Sequence, residues 1–186
     1  MRTSQILSEA SAHMDKSIAS LAHEFGSVRT GRASGAILEG IKVDYYGTPT
    51  PITQIAGIKS PEPQLLVIEP WDKSALKLIE KAIQSSDLGI TPSNDGSIIR
   101  LPFPPLTEER RKELVKKLHA GAEHHRVAVR NIRREANAKL ARAEKDAEIS
   151  EDELRRLEVE TQKLTDSHIQ QIDDALKRKD AEVMEV

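Results

Sequence analysis

The sequence predicts an α+β protein, a long three-helix bundle interrupted by a small inserted β/α/β module. Two observations lead there. Apolar residues recur at helical spacing in three long stretches, one before and two after a central segment that reads as short strands and holds all nine prolines. Three amphipathic helices cannot each bury a stripe alone, so they pack together and the module hangs from one end of the rod they form.

In the first stretch, Gln5 to Val28, Leu7, Met14, Leu21 and Val28 step by seven, and Ile18 and Phe25 repeat that step at an offset of four. The helix is expected to end in the RTGRASG segment, at Gly31 and Gly35. Strands are expected at Ile41–Tyr45, Gln64–Glu69 and Ser97–Leu101, with a turn at Gly47–Pro51. Between them Ala75, Leu76, Ile79, Ala82 and Ile83 have the spacing of one amphipathic helix. After Pro102–Pro105 the helical period returns. Thr107 is the expected N-cap, and a stripe from Leu114 through Leu118, Ala122, His125 and Val129 to Ala143 implies a helix of roughly 60 Å. Ser150 and Glu153 form a capping box that opens the last helix, which carries Leu154, Leu157, Leu164, Ile172, Ala175, Leu176 and Val183.

The expected domains are therefore residues 1–30 with 106–186 as the bundle, and 31–105 as the module. Two short crossings join them, at 30–32 and 104–106, and Thr30, Gly31, Pro104, Pro105 and Leu106 form the expected hinge.

Charge is distributed unevenly. The chain carries 28 Lys and Arg against 30 Asp and Glu, yet 106–147 hold twelve basic against seven acidic residues, and 148–186 six against twelve. Arg110–Arg134 alone contains nine basic residues and two glutamates. With Leu118 at 0° on a helical wheel, Arg126, Arg130 and Arg133 fall at roughly 80°, 120° and 60°, with His119 beside them. Glu123 interrupts that sector. Such a face suits phosphate, because the guanidinium fork matches its oxygens and acidic partners at helical spacing are scarce. It also suits a bundle in which the basic helix pairs with the acidic last one, but the arginine content puts phosphate binding ahead.

Several chemistries lack their residues. There is no cysteine, so disulfides and thiolate sites are excluded. Aromatics make up 3% of the chain, too few for a base-stacking track. His124 and His125 point about 100° apart on a helix and cannot share a metal ion; His125 falls on the core seam, and His13, His23, His119 and His168 have no ligand constellation in sequence. No nucleophile elbow, P-loop or dinucleotide fingerprint occurs, so neither an enzyme nor a cofactor is expected. Trp71, Tyr45 and Tyr46 read as core or edge residues of the module. Neither a signal core nor a membrane span is present in the sequence, which is read as cytoplasmic and monomeric.

Six collinear motifs are more specific than any of these patterns. They are Val28–Ser34 (VRTGRAS), Tyr45–Pro51 (YYGTPTP), Pro104–Arg111 (PPLTEERR), Arg126–Arg134 (RVAVRNIRR), Ile149–Glu153 (ISEDE) and Gln162–Asp166 (QKLTD). Together they closely resemble bacterial ribosome recycling factor over essentially the whole chain. The resemblance implies an L-shaped, two-domain molecule that binds the post-termination ribosome. With elongation factor G and GTP hydrolysis on that partner, such a factor splits the ribosome into subunits and releases the messenger. It further implies that the bundle lies along large-subunit RNA and that the module faces the translocase. Carried over by motif, Arg29 and Arg32, Arg110 and Arg111, and Arg130 and Arg133 contact ribosomal RNA, with Arg126 on the same face. The pair His124–His125 departs from the family pattern, and Glu135 stands where an Asp is expected. The competing expectation is a helical adaptor whose bundle binds protein partners.

Overall fold

The computed structural model describes residues 3–185. The first helical stretch forms α1, Thr3–Gly26, whose buried seam is Ile6, Ala10, Met14, Leu21 and Phe25. It stops five residues before Gly31, because Gly26 already withdraws about 1 kcal/mol of helix propensity. Val28, the last heptad position, is buried from outside the helix.

The third helical region is α3, Glu108–Lys145, 38 residues long. Thr107 caps it as expected, its Oγ1 accepting from the Arg110 N–H at 3.2 Å. At the other end Glu148 N–H donates to Ala143 O and Ala147 N–H to Glu144 O, with Ala147 at φ 58. This is a Schellman cap built on alanine instead of glycine. Helix α4, Glu151–Met184, begins on Ser150, whose Oγ accepts from Glu153 N–H at 3.2 Å. Ile6, Ala10, Ala136, Leu140 and Leu157 close one core cluster shared by α1, α3 and α4.

The central segment holds six strands and one α-helix. β1, Lys42–Tyr45, pairs antiparallel with β2, Thr48–Pro51, through a turn at Tyr46 and Gly47 with φ 49 and 79. The expected turn over Gly47–Pro51 is thus corrected: only Gly47 turns, and the rest is strand. Both prolines are tolerated because they sit opposite Lys42 and Asp44, at the non-hydrogen-bonded positions that alternate with the Ile52–Ile41 bond.

A second sheet has the order β3-β4-β6-β5, all antiparallel, with β3 Ala56–Glu62, β4 Leu65–Pro70, β5 Ser93–Asn94 and β6 Ile99–Pro102. Strand β3 escapes sequence reading because Gly57 and Pro61 break its alternation, and its pairing with β4 shifts register between Lys59 and Glu62. Helix α2, Leu76–Gln84, follows a 3-10 turn over Lys73–Ala75 and buries Leu76, Ile79 and Ile83. These join Ile52, Leu66 and Ile99 in the module core. Tyr46 and Trp71 do not: they are 81% and 72% exposed, which rules out the core half of the expectation, while Tyr45 packs partly buried against this core.

The chain divides into two compact units. One comprises the described residues up to Phe25 with Lys116–Asp180; the other comprises Gly26–Val115 with the described residues from Ala181 onward. Both crossings lie inside the second unit, together with the first turns of α3 and the end of α4, whose Leu114 and Val183 are buried. Among the described residues, no helix is long and apolar enough to cross a membrane.

Candidate nucleic-acid interface

The crossings come together in the second unit. Arg29, on the outgoing chain, donates to the carbonyl of Pro104 on the return chain and sets its guanidinium 5.6 Å from the centre of the Phe103 ring. Burial, and then the nearby charge of Arg110, hold its pKa below the ordinary arginine value. Arg29 is therefore a clamp between the two strands of the crossing. Thr30 Oγ1 accepts from Arg32 N–H at 3.3 Å, closing a small turn around Gly31, and Leu106 is buried.

Beside this clamp lies a cleft of about 690 Å³ whose polar lining includes Arg32, Gln64, Arg111, Glu182 and Glu185. Arg32 reaches Glu185 at 3.4 Å with both side chains largely in water, a pair worth little in stability. Arg110 pairs with Glu113 at 2.9 Å. The Nε of Arg111 is buried without a hydrogen-bond partner among the described residues.

In the first unit, the three arginines of the α3 face differ. Arg126 sends Nε and Nη2 to Asp173 Oδ1 of α4 at 2.8 and 2.6 Å, and Nη1 to Glu123 at 3.2 Å. Burial lowers its pKa, but the bonds to Asp173 and Glu123 more than offset that, and the net shift is upward. One turn on, among the described residues, Arg130 meets only Glu123, at 3.4 Å, and Arg133 only the neutral Gln162, at 2.9 Å. Arg126 is thus already neutralised by the acidic helix, whereas Arg133 has no carboxylate partner among the described residues. His119 is also taken up by α4, through Asp180 at 2.7 Å.

A buried polar seam runs through the same bundle; sequence reading placed His125 on it but missed Thr161, Thr165 and His168. His125 Nδ1 shares a hydrogen bond with Ser17 Oγ at 3.0 Å and its Nε2 donates to the Glu24 carboxylate at 3.1 Å, while His168 meets Asp15 at 2.7 Å and the Leu164 carbonyl at 2.7 Å. Thr161 and Thr165 donate to the carbonyls of Leu157 and Thr161. The signal was present, since Leu157, Thr161, Thr165, His168, Ile172 and Leu176 follow one helical stripe. Gly121 permits close approach here: a Cβ would lie 2.7 Å from the Glu24 carboxylate. Among the described residues no group of three or more His, Cys, Asp or Glu could hold a metal ion.

Comparison with known proteins gives consistent matches. A family model described as ribosome recycling factor matches residues 21–184. The ribosome-recycling factor of Geobacillus kaustophilus is 57% identical over 182 residues, covering 98% of each chain. That of Nitratidesulfovibrio vulgaris is 51% identical over 186 residues, covering 100% of both. A solution structure of ribosome recycling factor matches with a TM-score of 0.80 at 44% identity, covering 100% of this chain and 99% of that one. A second structure comprises models for the T. thermophilus ribosome recycling factor and the E. coli elongation factor G bound to the E. coli post-termination complex. It matches with a TM-score of 0.71 at 47% identity and covers 100% of both chains.

Proposed function

This chain belongs to the ribosome recycling factor family, and we propose on that premise that it binds the post-termination ribosome and, with elongation factor G and GTP, promotes subunit dissociation. One observation carries the reading: a counterpart 47% identical over the full length of both chains is bound with elongation factor G to a post-termination complex. The chain acts in the cytoplasm, where ribosomes are, as a monomer. It performs no catalysis of its own, and the GTP chemistry resides on the partner.

Ribosomal RNA is gripped by arginines, chiefly on the large subunit. Arg32, Arg110, Arg111, Arg130 and Arg133 supply charge to phosphate, Arg29 contributes while bracing the Pro104 carbonyl, and Arg126 contributes while bonded to the Asp173 carboxylate. Thr30, Gly31, Pro104, Pro105 and Leu106 form the hinge between a bundle of 1–30 with 106–186 and a module of 31–105 that faces elongation factor G. Movement of the module, driven by the translocase, strains the contacts between subunits through the rigid helices.

Co-sedimentation with large subunits across a salt series tests the grip. Arg130→Ala and Arg133→Ala are each expected to lower the salt slope by about one without loss of helix content. Arg126→Ala, which strands Asp173, is expected to cost about 1–2 kcal/mol of stability as well. Unchanged slopes in the first two variants would refute the grip. The adaptor alternative draws on the Arg126–Asp173 and His119–Asp180 pairs, and it predicts no co-sedimentation at any salt.

A further inference from the structure

The chain has five aromatic residues, and two of them meet at one carboxylate of the module. The Tyr45 and Tyr46 rings meet edge to face at 4.5 Å, and both hydroxyls donate to Asp72 Oδ2, at 3.2 and 3.3 Å. Trp71 precedes Asp72 in sequence. The carboxylate is itself fixed, because its other oxygen accepts from the Ser74 N–H at 2.9 Å and caps the 3-10 turn. Tyr46 and Trp71, at 81% and 72%, are the most exposed large hydrophobic residues among those described. The cluster is therefore rigid beneath and bare above.

Its backbone carries a second clue. Tyr46 holds φ 49 at the first central position of the β1–β2 turn, ahead of Gly47 at φ 79. That turn favours asparagine or glycine there, and a bulky residue with positive φ is an outlier. One exposed hydroxyl bond at 3.3 Å is small compensation. A strained, solvent-facing ring points to a contact outside the chain.

Charge selects the kind of partner. Residues 31–105 carry seven basic against eight acidic side chains, and the cluster is centred on a carboxylate. RNA binding requires cations along the backbone track, even where bases stack on rings. Exposed Tyr and Trp beside a carboxylate instead have the composition of a protein hot spot, and an arginine can lie over the rings while pairing with Asp72. We infer that Tyr46, Trp71 and Asp72 form a docking point for a protein surface presenting an arginine. This rests on the recycling reading, in which that protein is elongation factor G.

The test uses the full chain with ribosomes and elongation factor G. Tyr46→Asn keeps the turn in a favoured residue, and its thermal midpoint serves as the folding control alongside Trp71→Ala. The doubly substituted chain is expected to pellet with large subunits like wild type, while subunit splitting needs about tenfold more elongation factor G for half-maximal rate. A photoreactive benzoylphenylalanine placed at Tyr46 is expected to cross-link to elongation factor G. Cross-linking to RNA, or a loss of pelleting without the factor, overturns the protein docking point. Splitting at wild-type factor concentrations by the doubly substituted chain overturns it too, and leaves the recycling reading standing. Failure of the wild-type chain to split ribosomes overturns both.

Discussion

Arg126 and Arg130 stand one helical turn apart in a single motif, yet their surroundings separate them. Asp173, 47 positions away, takes two nitrogens of Arg126, and Arg130 has one longer contact to Glu123. Local spacing identified the basic face but not this division, because the neutralising carboxylate comes from another helix. Asp72 is a residue of similar consequence in the module. The Ser74 N–H, followed by weaker contributions that include both tyrosine hydroxyls, holds its pKa below the ordinary value. An unfolded Asp titrates near about 3.9. The stabilisation from ionised Asp72 is therefore complete above that pH and is lost as pH falls through the lower, folded value. Asn keeps the capping oxygen without the titration. Asp72→Asn is accordingly expected to lose less thermal stability than wild type between about pH 5 and pH 2. Parallel loss, followed by circular dichroism, would show that Asp72 does not contribute.

Elements were legible to the extent that their apolar period was unbroken. Helices α3 and α4 repeat theirs over most of 38 and 34 residues despite polar core positions, and Thr107 and Ser150 announced both starts. β3 was hidden by Gly57 and Pro61, and β2 by prolines whose missing N–H groups fall where no ladder bond is needed. The polar seam was hidden differently, since Thr161, Thr165 and His168 occupy core positions with polar side chains satisfied inside the bundle. A contrast between two substitutions tests that distinction. Leu140→Ala removes a fully buried side chain from the α1–α3–α4 cluster and is expected to cost about 2–5 kcal/mol in urea unfolding. Thr165→Val removes a hydroxyl bonded to a carbonyl that keeps its helical N–H partner, and is expected to change stability by less than about 1 kcal/mol.

At the scale of the whole molecule, the proposed hinge lies at two crossings of the chain, both inside one compact unit. Gly31→Pro fixes φ at position 31 and restricts Thr30. A Cβ at Gly31 has room, lying 3.9 Å from the nearest atom, the Glu185 carbonyl oxygen. Large-subunit pelleting is expected to persist while splitting slows on the order of tenfold. Equal splitting rates would count against a hinge at this crossing. The amino-acid order by itself determined the α+β class, the long helices and the collinear motifs that mark the family, because helical period and motif spacing are local properties. Tertiary structure alone decided that Arg29 clamps Pro104, that Asp173 occupies Arg126, and that Tyr46 and Trp71 remain in water. Those outcomes join residues far apart in sequence, and whether a charge or a ring stays available depends on what the fold brings against it.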